Sequence, residues 1–266
     1  MRKIIILLCL SLVFSMLGCT KISLEQQNET NVSPPIISDV ESDIVGDSTE
    51  ENDNVKRKKK YVVSTTNGLI VRSSATTSSS ILGYLDKNDA LTFIGEKNNF
   101  YQTIFKEKTA YVSKAYTKIM EIDIENEQIE SAIELGTKLL GYPYVWGSQR
   151  YHWGNGKLNT NYVHGEYDCS ALVLYVYYKS NNVILDVTSR AQSLNGVGVD
   201  IENLKRGDLM FFTNESRKNK SGIERIGHVG IYFGNNYILH TASDHAVIEP
   251  ISNVRWSYYI TSRRVV

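Results

Sequence analysis

Three residues of this 266-residue chain could together perform thiol chemistry: Cys169, His228 and His240. A thiol attacks a carbonyl once its proton is removed. One imidazole can take that proton and return it to the leaving group, and a second can orient the first. Asp168 is a good helix N-cap, which places Cys169 in the first turn of a helix reaching about Tyr178. Amides in a first turn point outward and favour a thiolate over a thiol. Leu172, Val173 and Val176 share the helical stripe of Cys169, so a cysteine packed in the core is the competing reading. The other cysteines are Cys9, inside an N-terminal apolar run, and Cys19, at its end. If Cys9 leaves on export and Cys19 is covalently modified, the exported form keeps Cys169 as its one free thiol, with no intrachain disulfide.

The histidines bear on that choice through strand register. Phe233-Gly234-Asn235-Asn236-Tyr237 signals a hairpin, with Gly and Asn able to supply positive φ. A three-residue loop at 234–236 places Ala242 opposite His228 and makes His240 its diagonal neighbour on the same face. Such neighbours lie about 7–8 Å apart at the backbone, within reach of two imidazoles. A two-residue loop places the rings on opposite faces.

The elements that must position these groups are legible along the chain. Met1-Arg2-Lys3 followed by fourteen mostly apolar residues, Ile4 to Leu17, reads as a secretory leader, too short to span a bilayer as a helix. Residues 20–59 are rich in Asn, Ser, Glu and Asp and contain Pro34-Pro35, the composition of a tether with a reach on the order of 35 Å. The basic run Lys56-Arg57-Lys58-Lys59-Lys60 closes that segment and is expected to be a solvated linker end. From Lys60 to about Ile119, short β segments recur roughly every ten residues: Tyr61–Val63, Leu69–Arg72, Ile81–Leu85, Ala90–Ile94, Tyr101–Phe105 and Ala110–Val112. That spacing predicts a small β barrel. Its eight basic and four acidic residues give it a charge of +4, suited to anionic polymers. From Glu121 onward, Ile129, Ala132, Ile133, Gly136, Leu139 and Leu140 recur at helical spacing, and Leu209–Phe212, His228–Phe233 and Tyr237–His240 read as strands. The fold class is α+β, helices first and antiparallel strands after. The chain's 29 basic and 29 acidic residues cancel, which argues against a nucleic-acid partner.

Residues 121–266 resemble the NlpC/P60 cell-wall peptidases. The motifs are Gly141-Tyr142-Pro143-Tyr144-Val145-Trp146-Gly147, Asp168-Cys169-Ser170-Ala171-Leu172-Val173 and Thr188-Ser189-Arg190-Ala191-Gln192. They continue with Lys205-Arg206-Gly207-Asp208-Leu209-Met210-Phe211-Phe212, Gly227-His228-Val229-Gly230-Ile231-Tyr232 and Ile238-Leu239-His240-Thr241-Ala242. Ser148 and Ala171 depart from glycines common in that family. The barrel region resembles bacterial SH3 domains through Leu69-Ile70-Val71-Arg72-Ser73, Leu82-Gly83-Tyr84-Leu85 and Ala110-Tyr111-Val112, the last replacing a usual Gly-Trp-Val. Met16-Leu17-Gly18-Cys19 resembles a bacterial lipobox, which implies a lipid on Cys19.

These resemblances imply a papain-like catalytic domain over 120–266, an SH3-like barrel over 60–119, a lipidated tether over 19–59 and a signal peptide over 1–18. The implied activity is hydrolysis of an amide bond in peptidoglycan stem peptides, most specifically γ-D-glutamyl to diamino acid. Cys169 would be the nucleophile, His228 the base and His240 its orienter, with Asp168, Ser170 and Tyr144 contacting the peptide. No metal or organic cofactor is implied, and the spacing of His152 and His164 supports no metal site. The expected partners are peptidoglycan and, through the lipid anchor, a bacterial membrane, with the protein a monomer. Residues 149–167, longer than the family's usual link, are expected as a surface loop walling the cleft. The alternatives are an amidase using the same three residues, a non-catalytic wall-binding lipoprotein and a lipid-modifying acyltransferase.

Overall fold

The computed structural model describes residues 57–241 and 244–266. The leader, Cys19 and the expected tether up to residue 56 lie outside them. The chain then enters β1 (Lys58–Ser64), β2 (Leu69–Arg72), β3 (Ile81–Leu85), β4 (Ala90–Thr92), β5 (Gly95–Lys97), β6 (Phe100–Phe105), β7 (Lys108–Ser113) and β8 (Thr117–Asp123). They form two antiparallel sheets, ordered β4-β1-β8 and β3-β2-β7-β6-β5. Val62, Val63, Val71, Leu91, Ala110 and Val112 fill the space between them.

Two boundaries differ from the sequence reading. β8 pairs with β1 along its whole length, from Lys58↔Asp123 to Ser64↔Thr117, so the barrel runs through the expected boundary at residue 119. Lys58, Lys59 and Lys60 of the basic run also belong to the barrel, as the start of β1. Lys58 and Lys60 reach Glu121 from across the ladder and Lys59 reaches Glu134, so opposite charges facing each other draw the lysines into a strand.

The second half is the α+β arrangement expected, helices packed on an antiparallel sheet. Its elements are α1 (Glu127–Lys138), α2 (Cys169–Asn181), α3 (Ser189–Gln192), β9 (Val197–Val199), β10 (Leu209–Phe212), β11 (His228–Gly234), β12 (Tyr237–Thr241), β13 (Ala246–Pro250), α4 (Asn253–Ser257) and β14 (Tyr259–Arg264). The six strands run in the order β13-β12-β11-β10-β14-β9. α2 is buried on every side along Cys169–Tyr177, clasped between α1 and the strands β11 and β12. Burial all round makes the apolar stripe shared by Cys169 uninformative about its role.

The barrel is locked to this domain by polar contacts as well as by shared core. The β6–β7 turn presents Lys106 and Glu107, both at positive φ, whose amides donate to Leu140 O at 2.9 Å and Lys138 O at 2.8 Å. Those carbonyls are orphans of the α1 C-terminus, so a barrel turn caps a helix of the second half. Buried Arg206 forks onto Glu130 of α1 at 2.7 and 3.1 Å, donates to the Tyr61 hydroxyl of β1 at 2.6 Å and also binds Phe233 O.

Candidate active site

The start of α2 is held from below. Asp168 caps the helix, its Oδ1 accepting from Ala171 N–H at 2.9 Å and from the Ser170 hydroxyl at 3.0 Å. Its Oδ2 accepts from Arg150 Nη2 at 2.8 Å and Gly147 N–H at 3.2 Å. Asp168 and Ser170, assigned to the peptide by resemblance, are thus buried side chains bonded to protein partners. Cys169 above them is 8% exposed. Burial pushes its thiol up to about 11 and the Asp168 charge adds to this. The amides of Val229 and Ser170, which donate toward the sulfur, and the Arg150 charge only partly offset the rise. The thiolate expected from a helix start is therefore outweighed by desolvation, and the resting group is a thiol that needs a base.

The candidate base follows from the strand that reaches the sulfur. Val229, whose amide reaches the sulfur, directly follows His228 at the start of β11. His228 Nε2 lies 2.8 Å from His240 Nδ1, with the rings edge to face at 5.0 Å. The hairpin that brings them together closes through a two-residue turn, Asn235-Asn236, with φ of 51° and 62°. A two-residue turn alone would put the histidines on opposite faces. A bulge between Tyr232 and Gly234 inserts one residue, and the ladder resumes as Tyr232↔Ile238 and Ile231↔Leu239. Extended, this register sets Gly230 opposite His240. A Cβ on Gly230 would lie 2.5 Å from Ile238 Cδ1 and 3.0 Å from His240 Cβ. Glycine there leaves the face open for the two rings.

The strand β13, which the sequence reading did not identify, adds a third group. Glu249, paired with Ile238, reaches diagonally to His240 and accepts from its Nε2–H at 2.9 Å. Arg255 Nη2 donates to the same carboxylate oxygen at 3.2 Å. Burial, then the charges of His240 and Arg255, holds His228 well below its ordinary 6.5. His240 is also lowered by burial, with the Glu249 hydrogen bond opposing. A neutral imidazole beside a thiol is suited to general-base work near neutral pH. The pattern Ala246–Pro250 could have been read as a strand, but its register on β12 was not available from spacing.

A cleft of about 460 Å³ opens beside His228, lined by Tyr144, Phe212, Asn214, Thr241, Arg255 and Tyr258 among others. Burial and the proximity of Cys169 and Asp168 raise the Tyr144 phenol, which places it at the thiol. Residues 149–167, expected to wall the cleft, contribute nothing to this lining. Their rings cover the flank of α2 instead, Tyr151 edge to face with Tyr175 at 5.2 Å and Tyr162 stacked on it at 5.7 Å. Burying aromatic surface there is the stronger pull. His152 Nδ1 accepts from Gly154 N–H, while His164 donates from Nε2 to Glu107 of the barrel at 2.7 Å. The segment also supplies Arg150, which bonds Asp168 and the Ser170 hydroxyl. Arg150→Met is expected to cost about 2 kcal/mol, less than for a fully buried pair because Arg150 keeps a solvent-facing edge. Urea denaturation would read the loss, and slower alkylation of Cys169 would report the uncompensated Asp168 charge.

Residues 141–265 match the NlpC/P60 family and residues 67–118 the bacterial SH3 domain. A γ-D-glutamyl-L-lysine dipeptidyl-peptidase of Bacillus cereus is 31% identical over 129 residues, covering 48% of this chain and 33% of that protein. A peptidoglycan DL-endopeptidase of Bacillus licheniformis is 31% identical over 159 residues, covering 58% of this chain and 32% of that protein. The crystal structure of an NlpC/P60 family protein from Bacillus cereus superposes with a TM-score of 0.42 at 24% identity, over 78% of this chain and 63% of the other. The chain spans about a third to a half of the length of the curated relatives it matches.

Proposed function

Because residues 141–265 are an NlpC/P60 domain and residues 67–118 a bacterial SH3 domain, we propose that this protein is a cysteine-type peptidoglycan hydrolase. The bond we assign to it joins γ-D-glutamate to the diamino acid of a stem peptide, the linkage type named for the Bacillus cereus relative. The observation that carries this reading is the 2.8 Å bond from His228 to His240 beside a thiol that the next residue's amide holds.

In this mechanism His228 Nδ1 takes the Cys169 proton as the sulfur attacks the scissile carbonyl. The Cys169 backbone amide, in the first helical turn, stabilises the oxyanion; a donor of this kind typically contributes a factor on the order of 10²–10³ in kcat. The imidazolium returns its proton to the departing amine as the C–N bond breaks. Water, deprotonated by His228, then cleaves the thioester to release a carboxylate and restore the thiol. Tyr144 lines the peptide's path, and Asp168 and Ser170 hold the helix start on which the sulfur sits. The protein would act as a monomer outside the cell, lipid-anchored at Cys19, the tether letting it reach the wall.

Mass spectrometry of fragments from purified peptidoglycan tests the reaction. Wild type is expected to release products ending in γ-D-glutamate, and Cys169→Ala to release none. Loss of the sugar–peptide amide instead would identify an amidase, and undiminished release by Cys169→Ala would refute the thiol mechanism. For the anchor, Cys19→Ala is expected to move the protein from the membrane fraction into the medium.

A further inference from the structure

A carboxylate can only accept hydrogen bonds, so the 2.9 Å contact of Glu249 Oε1 with His240 Nε2 places a proton on that nitrogen. Burial keeps His240 neutral, which leaves its Nδ1 bare. That atom faces His228 Nε2 at 2.8 Å, so His228 must donate there. The remaining ring nitrogen of His228, Nδ1, is then the unprotonated one. We propose that Glu249, resting on the assignment of Cys169, His228 and His240 above, is the positioning residue that fixes both histidine tautomers and leaves His228 able to accept the thiol proton.

Without Glu249, His240 can equally carry its proton on Nδ1. That form confronts His228 Nε2 with a donor and drives the His228 proton to Nδ1, where it blocks transfer from sulfur. Glu249 has a second effect through its charge, which favours the imidazolium that forms on His228 during attack. Arg255 acts in the opposite sense on the histidines, yet it helps hold Glu249 ionised. Burial pushes the Glu249 carboxyl up, and the His240 bond together with His240 and Arg255 brings it below its ordinary value. The other titratable groups facing this end of the relay are His245 and, from the barrel, Asp89, which burial pushes up to about 6.

The test uses the full chain with purified peptidoglycan and ¹⁵N-histidine spectra. Wild-type His240 is expected in the Nε2–H form at neutral pH. Glu249→Gln, whose amide can turn either way, is expected to mix the tautomers and lower kcat on the order of 10²-fold, with KM within about twofold. Its acid limb of kcat/KM should move to lower pH, and that of Arg255→Gln to higher pH, a pair of opposite shifts that loss of packing would not produce. An Nδ1–H form of His240 in the wild-type spectrum overturns the proposal without any variant. So does Glu249→Gln with kcat within threefold of wild type beside an inactive Cys169→Ala. Activity persisting in Cys169→Ala would instead overturn the thiol assignment beneath it.

Discussion

Replacing His228 with alanine is expected to reduce turnover of peptidoglycan by about 10⁴-fold at pH 7 with the fold retained. The size follows from the sulfur. Burial and the neighbouring Asp168 charge put the thiol at about 11, so without a base only roughly one molecule in 10⁴ carries a thiolate at neutrality. The variant's rate should therefore climb about tenfold per pH unit toward 11, where wild type shows no such rise. Steady-state kinetics across pH on a soluble stem-peptide fragment would read both features. Wild type should hold its activity below pH 6.5, because burial, His240 and Arg255 keep His228 unprotonated there. The same depression carries a cost in stability. As pH falls below 6.5, the unfolded chain binds protons at His228 and His240 that the native state refuses. Stability therefore falls until the depressed native values are reached, and urea midpoints measured down from pH 7 should decline accordingly.

The second large effect is on stability, at the seam between barrel and catalytic domain. Gly141 has φ of +88°, and a Cβ there would stand 2.1 Å from Cζ of Phe105. That ring cannot swing aside freely, since its Cε1 and Cζ also lie 2.7 and 2.8 Å from where a Cβ on Gly83 would be. Gly141→Ala combines backbone strain with overpacking of a buried ring, each of order 1–3 kcal/mol, for an expected loss of about 4 kcal/mol. The damage should extend to chemistry, because Gly141 begins the segment that carries Tyr144 to the cleft and because Phe105 leads into the turn capping α1. Differential scanning calorimetry against Gly147→Ala makes the comparison fair. Gly147 also has positive φ, but its Cβ would meet nothing within 4 Å, so only strain remains.

The legible parts of the molecule were those set by short-range rules. The Asp168 cap, the helix starting at Cys169 and the period of the barrel strands follow from local chemistry, and the chain adopts them. The hairpin shows where local rules stop. Asn235-Asn236 makes the two-residue turn that its composition favours, which by itself would separate the histidines. The face they share depends on one extra residue near Phe233; Gly234, at φ of 97°, permits the bulge, but its presence does not choose between the two registers. Glu249 was hidden for a similar reason. Its distance in sequence from His240 carries no information until the β12–β13 register is known. Residues 149–167 misled through chemistry of the right kind in another place: their aromatic rings suit a cleft wall, but the tyrosines of α2 offered a drier surface. The expected thiolate failed because a helix terminus contributes modestly while burial at 8% exposure acts more strongly in the opposite direction.

The most direct test of a buried thiol served by a neutral imidazole is the rate of Cys169 alkylation by iodoacetamide from pH 5 to 11, followed by mass spectrometry of the Cys169 peptide in wild type and His228→Ala. Wild type should react at pH 7 at least about 10²-fold faster than the variant, and the two rates should converge as pH approaches 11. Equal rates at pH 7 would mean that His228 does not serve this sulfur.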